Sequence, residues 1–352
     1  MLVIAVGCLI LYNIVMNGGA YMSEELLHYT RAGKVESIHR ADVAVVDVYG
    51  KSVWEFGNGK RPMFWRSAAK PFQVMPFVER GGIELFGLTS EEVAFMVSSH
   101  SGETQHVDLA HSVLGKIGLT IEALACGAAK PMSSKVAKEL MVKQLPYQAV
   151  HNACSGKHSG MLALAQMLKV AIEGYTGLEH PVQELMHQAV AESVNLQIAE
   201  VDTGVDGCGV PVFYLPLYNM SWAYARLGKP EEGAWGEREG VVRRIRDAML
   251  AHPHVVAGSK RFDTVLMNIT KGRILAKIGS EAVYCLSAVP EGLGITYKID
   301  DGGYRAVAPA GIAILKKLDL LSREEYQMLL EAFPHILKNH RGDIIGTVES
   351  VL

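Results

Sequence analysis

Strand-like patterning falls toward the two ends of this 352-residue sequence and helical periodicity fills its middle. Val35 to Phe56 runs or alternates apolar with β-branched residues on either side of Tyr49-Gly50-Lys51, which reads as a hairpin. Toward the other end, RILAKIG, AVYCLSA and GITYKIDD are short strand-like runs separated by Gly-Ser, Pro-Glu-Gly and Asp-Gly-Gly, an antiparallel meander, and Asp343 to Val351 reads as a closing strand. Apolar residues recur at helical intervals over Glu91–Val97, Val107–Ile117, Ser133–Lys143, Lys157–Ala171, Val182–Val194, Pro216–Leu227 and Arg238–Leu250, then again over Ala306–Leu318 and Arg323–Ala332. Strands so far apart can share a core only as one sheet with the intervening helices packed on it. The expected fold is α/β of the α+β type: an antiparallel sheet built from N- and C-terminal strands, with packed helices and an inserted helical subdomain. No Pro- or Ser-rich linker divides it, so residues 35–351 read as a single domain, with 35–66 and 260–351 in the sheet part and 67–259 mainly helical.

Hydrophobic residues make up 49% and charged residues 20%, near globular averages, which excludes disordered, collagen-like and coiled-coil chains. The 34 Lys and Arg against 37 Asp and Glu give a formal net charge of −3, no basic footprint for nucleic acid, so a small neutral or zwitterionic ligand fits better. Cys8, Cys126, Cys154, Cys208 and Cys285 form no CxxC pair. That argues against a disulfide scaffold or a standard zinc finger and for reduced thiols in a cytoplasmic protein. Leu2–Met16 is almost wholly apolar, shorter than the about 20 residues of a spanning helix, and lacks the basic start of a secretory signal. Met22 opens a polar stretch, and the globular pattern begins near Val35. The leader 1–21 is therefore read as an upstream start-site misassignment, with an uncleaved anchor or an atypical export signal as alternatives.

The sharpest motif is Arg66-Ser67-Ala68-Ala69-Lys70. A three-residue spacing at a helix start sets Ser67 and Lys70 on one face, where they can share a proton. Lysine can act as base only if burial or a neighbouring cation such as Arg66 keeps its amine neutral. Alone, the pattern also describes a solvated lysine behind a capping serine. Ser98-Ser99-His100-Ser101-Gly102-Glu103 follows an apolar stretch abruptly, as a pocket rim or a polar turn would. His151 to Gly160 holds a second three-residue spacing, Cys154 to Lys157, at another helix start, where dipole and lysine favour a thiolate. The G-x-x-x-x-G-K spacing of a phosphate loop is absent. Val205 to Pro211 is a glycine-rich elbow in which Asp206 could orient a ligand ammonium group or simply make a turn. Lys277, inside a strand-like run, could face solvent or enter a pocket as a second amine.

RSAAKP, SSHSGE, CGAAKP, NACSGKHSG, DGCGVP and AKIGSE, in this order and approximate spacing over about residues 35–350, resemble the asparaginase II-like, or rhizobial-type, L-asparaginases. The resemblance implies a serine β-lactamase, penicillin-binding-protein or class A glutaminase-like fold, with the nucleophile at a helix start between sheet and helical part. It implies Ser67 as nucleophile with Lys70 its partner, and Ser99 with Lys277 as a second Ser–Lys pair. Arg66, His158 and Asp206 would line the substrate site. It implies chemistry that needs no cofactor, with a Zn2+ site in some members held by Cys154, Lys157 and Cys208, and a homodimer. The reaction implied is hydrolysis of L-asparagine to L-aspartate and ammonia. Glutaminase action on a substrate one methylene longer is the nearest alternative, and a non-catalytic amino-acid or metal-binding protein is the alternative of another class. Neither SDN nor KTG occurs where a penicillin-recognising enzyme would carry it.

Overall fold

The structure is a computed structural model that describes residues 22–352; the apolar leader 1–21 lies outside the described residues. Eleven strands are described: β1 (Glu24–Arg31), β2 (Lys34–Asp47), β3 (Ser52–Phe56), β4 (Pro62–Phe64), β5 (Asp202–Val205), β6 (Pro211–Pro216), β7 (Ile274–Ile278), β8 (Val283–Ala288), β9 (Leu293–Ile299), β10 (Ile336–Lys338) and β11 (Ile344–Ser350). The main sheet runs β10-β11-β1-β2-β9-β8-β7, with β3 also paired to β2, and every pairing is antiparallel. Early and late segments therefore do share one sheet, as the two-ended pattern predicts, and the fold is mixed α and β. Ala41 to Val46 is a continuous buried run because β2 is central and covered on both faces.

The structure adds elements that periodicity did not supply. β1 lies in the stretch read as a polar start, ahead of Val35. A separate three-stranded sheet, β4-β6-β5, ties the segment before Ser67 to the elbow around Asp206. A helix spans Phe262–Ile269.

Strand alternation separates two functions. Lys277, Cys285 and Thr296 are successive cross-strand partners and share one face. Trp65 donates Nε1–H to Cys285 Sγ at 3.3 Å, which lays the Trp65-Arg66-Ser67 segment on that face. The Leu217–Gly228 helix covers the same face so closely that a Cβ at Gly294 would stand 1.7 Å from the Ser221 carbonyl oxygen. Its Tyr224 donates to the Ala68 carbonyl at 2.8 Å and packs with Trp65 and Phe72. The opposite face carries Ile278, Tyr284 and Tyr297. Phe262 packs on Tyr284 with ring centroids 5.4 Å apart, and Tyr297 donates to the Val307 carbonyl of the Val307–Lys317 helix.

Candidate active site

Ser67 stands in a 3-10 turn, Arg66–Ala69, that runs into the helical turn Lys70–Gln73, with Pro71 where its missing N–H costs nothing. Arg66 is left-handed at φ +53°, a conformation that costs a non-glycine residue about 1–2 kcal/mol. Asp206 fixes it: Oδ1 accepts from Arg66 Nε at 3.0 Å and Nη2 at 2.8 Å. Asp206 is presented by the tight turn between β5 and β6, closed by Asp206 N–H to Val210 O and by Gly209 at φ +84°. Burial alone would raise its carboxyl, but the Lys157 and Arg66 charges outweigh it and hold the group below the ordinary aspartate value.

Two lysine amines converge on Ser99. Lys277 Nζ donates to Ser99 Oγ at 2.7 Å, and Lys70 Nζ reaches the same oxygen at 3.2 Å. Lys70 also donates to the carbonyls of Ser98 at 2.5 Å and Ala153 at 3.3 Å, and Lys277 to that of Ile278 at 2.8 Å. Among the described residues neither amine has a carboxylate within hydrogen-bonding distance. Burial lowers the pKa of both; the Lys157 charge adds to this at Lys70, and the Lys70 charge adds to it at Lys277. The solvent-facing option for Lys277 is overturned: the residue is 0% exposed, because β7 is covered on both faces. The Ser67 hydroxyl, in a residue 7% exposed, makes no hydrogen bond with another described residue. The structure thus brings Lys70, Ser99 and Lys277 together, with the Ser67 segment laid on the same sheet face through Trp65, and Lys70 is bonded to Ser99 rather than to its own motif serine.

The Ser98–Gly102 loop is held from both sides. Ser99 N–H donates to Val256 O at 2.9 Å, Ser101 Oγ to Ala257 O, and Gly102 N–H to His100 Nδ1. That last bond makes Nε2 the protonated nitrogen of His100, which donates to Ser155 Oγ at 2.8 Å. Asp263, on the Phe262–Ile269 helix, accepts from Ile278 N–H at 2.8 Å and so fixes the backbone next to Lys277. Sequence reasoning missed His100 and Asp263 as positioning groups. The polar density of SSHSGE was the one available hint for His100, and a single acid on an amphipathic helix gave none for Asp263.

Cys154 precedes the Ser155–Leu168 helix, and Lys157 lies in its first turn. Lys157 Nζ donates to Cys208 Sγ at 3.1 Å and stands 3.9 Å from Asp206 Oδ2. A hydrogen bond with Cys208 holds the Cys154 thiol well below the ordinary cysteine value against the effect of burial, while that bond and burial together raise Cys208. At Lys157 burial is outweighed by the charges of Cys154, Cys208 and Asp206, so its amine is held above the ordinary lysine value. Among the described residues no group of three His, Cys, Asp or Glu side chains is arranged to hold a metal. The trio Cys154, Lys157 and Cys208 does converge, but the protonated Lys157 has no lone pair to offer and itself supplies the positive charge. Because a metal displaces the protons of its ligands, the trio would hold Zn2+ only with the ion in place of the Lys157 proton. His158 is fully buried, its Nδ1 bonded to Tyr175 Oη at 2.7 Å and its Nε2 without a partner among the described residues; burial keeps its ring neutral. It therefore presents no exposed atom to a substrate.

The sequence matches the L-asparaginase II family over residues 27–350. The chain belongs to that family. No curated protein matches it. Among solved structures, this asparaginase-family chain is similar to a β-lactamase from Mycobacterium bovis, at 12% identity over 79% of this chain and 94% of that one, with a TM-score of 0.40. It is also similar to a simvastatin synthase mutant from Aspergillus terreus, at 12% identity over 74% and 86%, with a TM-score of 0.37. Family membership makes the chain an amidohydrolase, and among its described residues no helix is long and apolar enough to cross a membrane.

Proposed function

We propose that this chain hydrolyses the side-chain amide of L-asparagine through a serine acyl-enzyme. The observation that supports the reading is the convergence of two buried amines, neither paired with a carboxylate among the described residues, on Ser99 Oγ, at 2.7 and 3.2 Å, with Lys70 one turn after Ser67. Ser67 Oγ attacks the amide carbon, and its proton passes to the neutral amine of Lys70. The resulting ammonium returns that proton to the leaving nitrogen as the carbon–nitrogen bond breaks, releasing ammonia. Water then hydrolyses the ester, one proton returning to Ser67 Oγ, and L-aspartate leaves. Ser99 bridges Lys70 to Lys277, so a proton can be shared between the two amines, and the Lys70 charge lowers Lys277. The Asp206 carboxylate suits the substrate's ammonium group, and Arg66 its α-carboxylate. The homodimer implied by the resemblance and the cytoplasmic location implied by the unpaired cysteines belong to this proposal.

Because Ser99 Oγ is the hydroxyl actually bonded to both amines, a second reading makes Ser99 the nucleophile. Ammonia release from L-asparagine and from L-glutamine, with intact-mass detection of the acyl adduct, tests both. The expected result is faster release from asparagine, with the adduct retained in Ser99→Ala and absent in Ser67→Ala. The reverse adduct pattern selects Ser99. Faster release from glutamine reassigns the substrate, and no release from either amide by folded protein overturns the reading.

A further inference from the structure

Behind the sheet, on the face opposite Lys277, a cavity of about 550 Å3 opens between the Phe262–Ile269 helix, the Val307–Lys317 helix and the strands β10 and β11. Ile278 lines it. Since side chains alternate along a strand, Ile278 faces away from the catalytic amine one residue earlier, so this chamber is separate from the acyl-transfer site. Its walls are apolar, with Phe262, Val307, Phe333, Leu337 and Val348 among them. Its volume lies in the range of about 300–1,000 Å3 usual for small-molecule sites.

Three cations line the same chamber: Lys260, Arg261 and Arg305. Most other arginines hold carboxylates, as Arg61, Arg66, Arg238 and Arg273 do, Arg226 being held instead by backbone carbonyls and the Trp235 ring. These three cations form no ion pair with another described residue. Arg261 Nη1 donates only to Met132 Sδ at 3.2 Å. Arg305 Nε donates to His39 Nε2, and its guanidinium lies 4.3 Å from the Tyr29 ring centroid. The one lining carboxylate, Asp263, is 1% exposed; its Oδ1 accepts from Ile278 N–H, and its Oδ2 has no partner among the described residues. Arg305 reaches a carboxylate only through His39, whose Nδ1 lies 2.8 Å from Asp301 Oδ2, and Lys260 and Arg261 reach none directly; an apolar hollow edged by such positive charge is complementary to an anion that carries a hydrophobic body. Residues 1–21 contain apolar side chains but no Asp or Glu, so they would leave the cations unanswered.

We propose that this chamber binds a small organic carboxylate with an apolar body, its carboxylate held by Arg261 together with Arg305 and Lys260 and its body packed against Phe262, Val307 and Leu337. Isothermal titration of the full chain with 4-phenylbutanoate and with the uncharged 4-phenylbutan-1-ol tests it without any turnover, so its outcome is independent of whether asparagine is the substrate. The acid should bind, with the alcohol at least about tenfold weaker. Arg261→Gln should weaken the acid by about tenfold, and Ala308→Trp, which fills the chamber, should abolish its binding. Equal affinity for acid and alcohol, no heat from the acid at millimolar concentration, or unchanged binding in a folded Ala308→Trp chain would overturn the proposal. Should Ala308→Trp not fold, the acid-versus-alcohol comparison on the unaltered chain decides.

Discussion

Gly156→Ala should damage the site without touching a reacting group. The first turn of the Ser155–Leu168 helix lies against the segment that leads into Ser98 and Ser99, and a Cβ on Gly156 would stand 2.0 Å from the Phe95 carbonyl oxygen and 3.1 Å from Ser98 Oγ. Ordinary carbon–oxygen contact begins near 3.3 Å, so backbone must yield by about 1 Å or more. Either the helix start carrying Lys157 moves, or the Ser98–Ser99 segment moves off Lys70. Overpacking of this kind costs about 1–3 kcal/mol, and a misplacement of about 1 Å costs about 100-fold in rate. Gly160→Ala, one turn on, is the control: its Cβ would meet the flexible Met96 side chain at 3.4 Å, and replacing a mid-helix glycine stabilises by about 0.5–1 kcal/mol. Ammonia release and thermal unfolding followed by circular dichroism read both effects. Gly156→Ala should melt several degrees lower and turn over about 10–100-fold more slowly, with Gly160→Ala within about twofold of the parent. Parent-like turnover and melting in Gly156→Ala, or an equal loss in Gly160→Ala, would refute the reasoning.

Turnover should rise with pH as the lysine amines lose protons, with a midpoint below the ordinary lysine value of about 10.4; a limb centred at that value means exposed amines. Lys277 also binds its proton more weakly folded than unfolded, so between its lowered pKa and the ordinary value stability should climb with pH. Lys277→Met should flatten that climb in unfolding curves taken near neutrality and in mild alkali, and lose turnover by about 100-fold or more. Asp206→Asn removes the charge that holds Arg66 and Lys157, and should raise KM for asparagine by about tenfold; an unchanged KM with lowered kcat would mean that the pair acts on the chemistry instead. Asp263→Ala should cost about 1–3 kcal/mol in urea unfolding by stranding Ile278 N–H, whereas Asp263→Asn, which keeps an acceptor, should cost less.

Where one periodicity dominated, the sequence was legible. The helix expected over Arg323–Ala332 is found with those bounds, and the hairpin at Tyr49-Gly50-Lys51 joins β2 to β3. β1 was hidden because its register with β2 shifts between Glu25 and Leu27 and again between Tyr29 and Thr30, breaking simple alternation. β4 and β5 are too short for period to register, at three and four residues, and β6, PVFYLP, is bounded by prolines and runs apolar without alternating. At the site, local spacing located Ser67 and Lys70 on one turn. The partner of Lys70, however, is set by where the Ser98–Ser99 loop arrives from 28 residues away, a tertiary fact with no local signature. The burial of Lys277 is likewise decided by helices laid over β7, and not by the strand's own pattern.

The order of strands in the main sheet also sets a timetable for synthesis. β2 pairs with β9, which leaves the ribosome roughly 250 residues later, or about 12–50 s at ordinary translation rates. Until then the Ala41–Asp47 edge of β2, its buried and mostly apolar half, is bare and open to wrong pairing. Lys277 emerges in the same late portion, so a nascent chain holds Ser67, Lys70 and Ser99 long before the second amine. The proposed hydrolytic centre is completed only in the last third of translation, and expression of this protein should depend on chaperones that shield β2 during the wait.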